Sequence, residues 1–315
     1  MVKDFDRRLL EPGQGVLVEQ SAAKDHLDLK GFFILLFLTM LWGCNYAAIK
    51  ISNLGFSPIF NAFLRSSMAS VLGILYCLAV RQPLFHKDRR LFHGFIVGML
   101  FGLEFVCIYV GMLYTDAARA GILINVSPFI VVLGAYLFLK ERLGFLRIIG
   151  LVLAFIGVYL VFLGKPSTWN SSMLLGDMLE LGAAVFWGAT TVYIKKYLAG
   201  RVHPIHTFLY QLVFSIPIIF LCLLLLEEKW IMNVNTASVI ALLYSSIIVA
   251  FASYFTWFKL IHTYPVSQLA VFTFLSPFFG VISGFVILGE QLTAGLIFGL
   301  IFVSAGIYVA NYQKR

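Results

Sequence analysis

Apolar residues occur along this chain in long runs separated by short polar connections. The hydrocarbon core of a bilayer requires about 20 consecutive apolar residues for one helical crossing, and the chain contains ten runs of that kind. Segments such as Leu35–Leu38 and Leu221–Leu226 show no alternation of polar and apolar positions, so the pattern predicts helices and not barrel strands. We therefore predict an all-α integral membrane protein with ten transmembrane helices. The predicted spans are Gly31–Ile51, Pro58–Val80, Phe92–Tyr114, Ala117–Phe138, Phe145–Gly164, Leu174–Lys195, Pro204–Leu226, Thr236–Ile261, Pro265–Leu288 and Leu292–Asn311.

The composition agrees with a membrane protein. The 315 residues are 61% hydrophobic and 12% charged, and the mean hydropathy is +0.93. So few polar side chains cannot coat a water-soluble globule of this length. The four cysteines lie inside predicted spans without a paired spacing, so we predict no disulfide framework, no metal site and no cofactor.

The net charge of +8 is distributed unevenly along the chain. Basic residues concentrate in alternate connections between the predicted spans, which by the positive-inside rule places both termini in the cytoplasm. We therefore expect no nucleic-acid partner. Residues 1–30, with five basic and six acidic side chains, are predicted to form a flexible cytoplasmic arm and show no cleavable signal peptide. The basic clusters are Arg81–Arg90, Lys140–Arg147, Lys195–Arg201, Lys259 and Lys314–Arg315.

The second half of the chain repeats the first, and the predicted repeats cover residues 31–164 and 174–311, with residues 312–315 as a cytoplasmic tail. Each half holds five predicted spans. Because five is odd, the second half enters the membrane from the opposite side, and two inverted units can open a central cavity to either face in turn. The recurring positions are Ser127-Pro128-Phe129 with Ser276-Pro277-Phe278, Glu141 with Glu290, Gly150 with Gly299 and Gly157 with Gly306 at an offset of 149, and Trp42-Gly43 with Trp187-Gly188 at an offset of 145.

Each half therefore carries the same ordered set of motifs, and this set resembles the EamA repeat of the drug/metabolite transporter superfamily. The resemblance covers nearly all of residues 31–311. It implies a ten-helix bundle whose central cavity is lined mainly by the first four helices of each half, and the carriage of amino acids or other small metabolites, often outward. The second copy has Tyr210 where the first has Arg65, and Thr190 where the first has Asn45. The motifs are Trp42-Gly43-x-Asn45, Lys50, Pro58, Arg65 and Lys140-Glu141-Arg142-Leu143 in the first copy, and Trp187-Gly188, Pro204 and Gly289-Glu290-Gln291-Leu292 in the second.

Arg65 and Glu104 are charged residues deep inside predicted spans. Arg65 lies roughly 10 Å, and Glu104 roughly 15 Å, below the outer boundary at 1.5 Å per residue. A charge at such depth costs about 3 kcal/mol or more and normally faces a bundle interior or a wet cavity. One hypothesis is that Glu104 exchanges a proton while Arg65 holds an anionic group of the cargo. The alternative is a structural ion pair, or a neutral Glu104 bonded to a neighbour.

Further candidates are polar or aromatic residues of predicted spans. Aromatic side chains can form the walls of a cavity for a flat or amphipathic cargo, or can face lipid. Glu180 is present only in the second half, and Lys195 is expected to extend to the membrane interface. Besides Arg65 and Glu104, the candidates for a substrate or ion pathway are Asn45, Tyr109, Asn125, Thr190, Tyr210, Tyr254 and Trp257.

Two prolines and two glutamates mark the repeat structurally. Pro128 and Pro277 fall in the middle of predicted spans, where proline removes a backbone hydrogen bond and is expected to kink the helix. The freed carbonyl either binds cargo or is satisfied within the protein. Glu141 and Glu290 each follow their proline by 13 positions. We predict that each begins the following helix and accepts its backbone N–H groups.

These features favour a secondary active transporter, an exporter or exchanger of a small polar or amphipathic metabolite such as an amino acid, in the bacterial inner membrane. Protons or a counter-metabolite are candidate coupling species, and an oligomer is not indicated. A channel and a non-transporting scaffold stay open as alternatives. The motifs of zinc hydrolases, serine hydrolases and ATP-binding loops are missing from the sequence, so no catalytic residue is assigned.

Overall fold

The structure, a computed structural model of the chain, describes residue 24 and residues 26–85, 88–111, 114–115, 123–142, 144–162, 173–288 and 294–312. Within these ranges the fold is all-helical, and pairing between extended residues is limited to one antiparallel bridge between Phe56 and Ile231. The helices are α1 Leu29–Ser52, α2 Pro58–Ala79, α3 Arg89–Gly111, α4 Ser127–Leu139, α5 Phe145–Phe162, α6 Met173–Tyr197, α7 Pro204–Leu226, α8 Thr236–Thr263, α9 Val266–Phe272 continuing to Ser276–Leu288, and α10 Ala294–Asn311.

Among the described residues, seven helices are long and apolar enough to cross a membrane. The described parts of α4, α5 and α10 form shorter apolar helices. The helices coincide with the predicted apolar runs. The count of ten crossings remains a prediction.

Local sequence sets several helix starts. Asp28 caps α1, since its carboxylate accepts the backbone N–H of the third residue of the helix at 2.8 Å. Pro58 and Pro204 occupy the first turns of α2 and α7, where no N–H is needed. Asn235 and Ser238 form a reciprocal capping box at the start of α8.

The two halves of the chain interleave, and their contacts occur in equivalent pairs. The repeat partner of each helix in the first half is the helix five places later, so α1 corresponds to α6 and α4 to α9. The contact of α1 with α9 therefore has an equivalent in the contact of α6 with α4. In the same way, α3–α6 is equivalent to α8–α1, and α3–α7 to α8–α2, and all of these contacts are present. A contact pattern that survives the exchange of repeat partners is that of a pseudo-twofold axis.

Glycines bring α5 and α10 together. A Cβ atom on Gly150 would lie 2.5 Å from the carbonyl oxygen of Gly306, and a Cβ on Gly157 would lie 2.6 Å from that of Gly299. The earlier glycine of α5 thus meets the later glycine of α10, so the two helices run antiparallel. Because the pair 150–306 is the repeat equivalent of the pair 299–157, the pseudo-twofold axis passes between α5 and α10.

Pro128 lies in the first turn of the described helix α4. The described helix α4 begins at Ser127, after turn residues at 125 and 126, and the N–H of Phe129 donates to the carbonyl of Val126 at 3.0 Å. Proline fixes φ and lacks an N–H, which suits the first helical turn. The predicted fourth span also includes residues 117–122, which lie outside the described residues, so the kink expected at Pro128 stays a prediction.

Pro277 lies just after a local tightening of α9. Thr273–Leu275 form a 3-10 turn between the two α-helical parts of α9. Proline at 277 cannot donate to the carbonyl of Thr273, and a 3-10 turn is a common way to accommodate such a gap. The described helix therefore changes type just before Pro277, and the kink expected at this residue stays a prediction.

Candidate functional site

A small buried cavity lies between α3, α6, α7 and α8. Glu104 comes from the first half of the chain, and the other described lining residues come from the second. The cavity has room for about one water molecule, so a metabolite enters it only if helices move apart. The lining residues are Glu104, Trp187, Thr190, Thr191, Ile194, Gln211, Tyr254, Trp257, Phe258 and Ile261.

Three lining side chains have a polar atom without a hydrogen-bond partner in the structure. These atoms are Glu104 Oε2, Thr190 Oγ1 and Gln211 Oε1. The three residues are between 1% and 4% exposed. Since a buried polar group without a partner costs roughly 1–3 kcal/mol, three of them around one cavity indicate a binding site for a group that supplies the missing hydrogen bonds.

Aromatic rings from both halves form one wall. Trp42 and Trp187, equivalent residues of the two repeats, meet with ring centroids 6.1 Å apart. Trp257 packs against both, at 5.3 Å from Trp42 and 6.5 Å from Trp187. A residue that touches its own repeat equivalent lies close to the pseudo-twofold axis, so this cluster is at the centre of the bundle.

Helix α8 is wider than an ordinary α-helix where it contacts Trp42. Tyr244–Ser253 of α8 form a π-helical stretch, and Ser253 in its last turn accepts the indole N–H of Trp42 at 2.9 Å. π-helical segments are rare and occur frequently at functional sites. Sequence periodicity does not distinguish such a stretch from an ordinary helix.

Arg65 is buried behind the cavity wall. Its guanidinium Nη2 donates to the hydroxyl of Tyr254 at 3.0 Å, and its central carbon lies 4.8 Å from the ring centroid of Phe105 and 5.2 Å from that of Tyr254. Arg65 and Glu104 are each at most 2% exposed, yet they form no ion pair within 4.0 Å. The alternative of a direct structural ion pair between these two described residues is therefore incorrect.

The profile of the EamA-like transporter family matches residues 29–163 and, a second time, residues 174–312. The chain belongs to this family. A probable amino-acid metabolite efflux pump of Salmonella typhimurium is 28% identical over 295 residues, which cover 91% of this chain and 96% of that protein. The uncharacterised transporter YvbV of Bacillus subtilis is 26% identical over 290 residues, which cover 90% and 92% of the two chains.

The fold is shared with a solved protein. One crystal structure matches with a TM-score of 0.77 at 19% sequence identity, over 88% of this chain and 95% of that one. The EamA-like family is one of transporters and not of enzymes. Together with its long apolar helices, membership makes this chain a multi-pass membrane protein.

The structure brings some sequence candidates of this EamA-like chain together and separates others. Glu104, Thr190, Tyr254 and Trp257 line the cavity. Tyr109 packs on Phe105 beside Arg65, with ring centroids 6.0 Å apart.

The remaining candidates lie outside the cavity lining. Asn45 accepts a hydrogen bond from Ser245 at 2.7 Å, between α1 and α8. Tyr210 stacks between Phe85 and Phe214. Asn125 is buried in the turn before α4.

Gln211 is a lining residue that sequence reasoning missed. It follows Tyr210 directly and lies in an apolar run, which is the signal that could have identified it. Glu180 was a sequence candidate, and it is 1% exposed with Oε1 lacking a partner. Its carboxyl lies against Gly111 at the end of α3 and not in the cavity lining.

Polar contacts close the bundle at what we call the first end, where α1 begins. Glu141 accepts the backbone N–H of Val266 at 3.2 Å and the hydroxyl of Ser267, to which Arg147 also donates at 2.9 Å. Glu141 therefore binds the start of α9, in the other half, and the prediction that it caps the following helix α5 is corrected. Its repeat equivalent Glu290 lies outside the described residues.

The turn between α8 and α9 is held at the same end. Lys195 donates to the carbonyls of Ile261 at 2.7 Å and Tyr264 at 2.8 Å, so it binds the C-terminus of α8 in place of extending to the interface. The hydroxyl of Tyr264 donates to Asp28 at 2.7 Å. Lys24, which hydrogen-bonds to Asp28, holds the pKa of that carboxyl well below its usual range.

Polar contacts also join the two halves at the second end, where α1 ends. The hydroxyl of Thr115 donates to Asp177 at 2.6 Å. At the offset of 145 that relates Trp42 to Trp187, Asp28 corresponds to Met173, so Asp177 lies about one helical turn beyond the repeat equivalent of Asp28. The two bonds are alike in that each joins one half of the chain to the other. Glu227 also accepts N–H groups at the start of α2, from Ile59 at 2.8 Å and Phe60 at 3.1 Å.

Proposed function

We propose that this protein is a secondary active transporter that moves a small polar or amphipathic metabolite, an amino acid or related compound, by alternating access through the central cavity. In this proposal it is an exporter or an exchanger of the bacterial inner membrane. Ten transmembrane helices form two inverted repeats of five, and both termini are cytoplasmic. A relative named as a probable amino-acid metabolite efflux pump supports the class of cargo.

The observation that carries the proposal is the buried cavity with unpartnered polar atoms at the centre of the bundle. A scaffold protein has no need for three buried polar atoms that face one cavity without partners. A channel needs a continuous path, whereas this cavity has room for about one water molecule, and polar contacts join the two halves at both ends of the bundle.

The inverted arrangement is supported by two independent features. The first is the antiparallel contact of α5 with its repeat equivalent α10. A twofold axis that exchanges two antiparallel membrane helices lies in the membrane plane. The second is the concentration of basic clusters in alternate connections, which assigns the first end to the cytoplasm.

Alternating access is supported by polar contacts between the halves at both ends. The Tyr264–Asp28 bond and the Thr115–Asp177 bond each join one half of the chain to the other. If the halves rock about the axis, one of these bonds opens while the other stays closed. The cavity then faces one compartment at a time.

Glu104 is our candidate for proton exchange during transport. It is a carboxyl group 1% exposed, and its Oε2 has no partner. Intramembrane acidic residues of this kind mark ion and proton pathways. Arg65 fixes the position of Tyr254, one of the cavity walls, through its 3.0 Å hydrogen bond.

The test is counterflow in proteoliposomes against a panel of amino acids and related metabolites, with pH and sodium gradients varied separately. We expect saturable exchange that responds to a pH gradient. The change Glu104→Gln should abolish the response to pH, whereas Glu228→Gln, at an exposed carboxyl after α7, should not. Flux that does not saturate and shows no counterflow would favour a channel and contradict the proposal.

A further inference from the structure

We propose that the cavity binds the ammonium group of its cargo, so that the transported molecules are primary amines or zwitterions with an apolar side group, and not simple anions. This inference rests on the proposed transport function and specifies its substrate class. The hydrogen-bonding groups and the charges that face the cavity support it.

The unpartnered lining atoms match the donors of an ammonium group. Glu104 Oε2 and Gln211 Oε1 are acceptors, and Thr190 Oγ1 can also accept. An ammonium group carries three N–H donors and no acceptor. One such group therefore supplies the hydrogen bonds that all three side chains lack. A carboxylate has no donor to offer to Glu104 or to Gln211 Oε1.

The charges of the lining residues also favour an ammonium group over an anion. Its described members include one carboxyl group, that of Glu104, and no Lys, Arg or His. The nearby cation, Arg65, is directed to Tyr254 and Phe105 and is not among the lining residues. An anion in the cavity would be buried next to an acidic side chain without a cation of its own, which is strongly unfavourable.

The aromatic wall suits a cation as well. A cation within about 6 Å of an aromatic ring centroid is attracted to the face of the ring, most strongly for tryptophan. Trp187 and Trp257 line the cavity with their ring planes inclined by 30°. Ile194, Phe258 and Ile261 complete an apolar surface that fits a hydrophobic side group of the cargo.

The size of the cavity is consistent with a head-group site. In this closed conformation it has room for about one water molecule, and an ammonium group is of similar size. The rest of the cargo would be accommodated when one end of the bundle opens.

The test compares three probes with the same branched side group: isopentylamine, leucine and 4-methylpentanoate. Purified protein in liposomes is loaded with each probe, and counterflow and competition are measured at one pH and one salt concentration. Thermal stabilisation of the detergent-solubilised wild-type protein by the same probes provides a readout that needs no variant. We expect exchange and stabilisation by the amine and the zwitterion, and at least tenfold weaker effects of the acid.

Variants at Gln211 then locate the head group. Gln211→Leu removes the acceptor and should weaken amine binding at least tenfold, whereas Gln211→Glu keeps an acceptor and should retain it. The exposed-site variant Glu228→Gln should behave as wild type. If Gln211→Leu is recovered folded and binds the amine like wild type, the cavity holds a structural water only and the inference is wrong.

The outcomes separate this inference from the proposed function. Exchange of 4-methylpentanoate with no effect of the amine or of leucine would overturn the ammonium site and leave a transporter. Failure of the whole metabolite panel and of all three probes to exchange would contradict the transport function itself.

Discussion

The two halves of the molecule share their helix contacts and differ in their buried chemistry. Trp42 and Trp187 occupy equivalent positions and touch each other, and the equivalent glycines of α5 and α10 meet in matching pairs. Tyr210 stands where the first half has Arg65, so this charge is present in one half only. The comparison shows that duplicated residues such as Trp42 and Trp187 meet at the axis, whereas the buried charge of Arg65 has no counterpart in the second half.

Arg65 and Tyr210 illustrate this division. Arg65 is hydrogen-bonded to Tyr254, a residue of the cavity wall, at 3.0 Å. Tyr210 packs flat against Phe85, with ring centroids 5.9 Å apart, and its ring lies against Gly94. The same helix position thus supports the cavity in one half and helix packing in the other.

The largest expected effect comes from substitutions that disturb the packing of α5 against α10. Gly157→Ala places a Cβ 2.6 Å from the carbonyl of Gly299, and Gly306→Ala places one 2.5 Å from that of Gly150. Backbone atoms cannot yield as a side chain does, so each change should cost about 1–3 kcal/mol of folding free energy. Gly144→Ala has no atom within 4 Å of the new Cβ and is the matched control.

Thermal unfolding in detergent and the yield of monodisperse protein measure this effect. Because Gly157 and Gly306 are repeat equivalents, their losses should be similar to each other and larger than that of Gly144→Ala. Equal stability of all three variants would contradict the close packing of α5 against α10.

An intermediate effect distinguishes the two ends. Tyr264→Phe removes the bond to Asp28 at the first end, and Thr115→Val removes the bond to Asp177 at the second. Both bonds end on a carboxylate, and a partly buried hydrogen bond of this kind contributes about 1.5 kcal/mol, so each change should shift the population open at its own end by roughly tenfold. The labelling rate of a cysteine at Thr191, another lining residue, measured from each side of the membrane, reports the shift. Shifts in the same direction for both variants would show that the two bonds are not opposing gates.

The smallest effect concerns the exposed contact between Lys24 and Asp28. Because the pKa of Asp28 is lowered, this contact is present above the usual carboxyl range and is lost only as the pH falls through the lowered value. Lys24→Gln should therefore change labelling at the first end by less than about twofold between pH 5 and 8, and less still at high salt. A large change in this range would show that the contact holds the end closed, and labelling at two salt concentrations measures it.

Helices and repeats could be predicted from the sequence because they depend on local hydrophobicity and on spacing within the chain. The apolar run around Trp42 and the offset to Trp187 are visible without a fold. The depth of Glu104 in its run was enough to mark it as a candidate, and the structure places it in the cavity lining.

Contacts between the halves could not be predicted in the same way. Glu141 has a helix start four residues after it, yet its carboxylate binds Val266, which is 125 positions away. Gln211 faces the cavity because of how α7 packs on α3, and nothing in the neighbouring sequence fixes that direction. Such contacts are set by tertiary packing, which overrides local preference.

The central claim is that the two ends open alternately around one cavity. The most direct measurement uses a background without the four native cysteines, with a reporter cysteine at Thr191, a lining residue outside the proposed ammonium site. A cysteine pair at positions 28 and 264, or at positions 115 and 177, is joined by a short bifunctional reagent. We predict that either cross-link stops counterflow, and that the reporter is then labelled only from the side of the end left free. Continued transport, or labelling of the reporter from both sides with one end joined, would contradict the account.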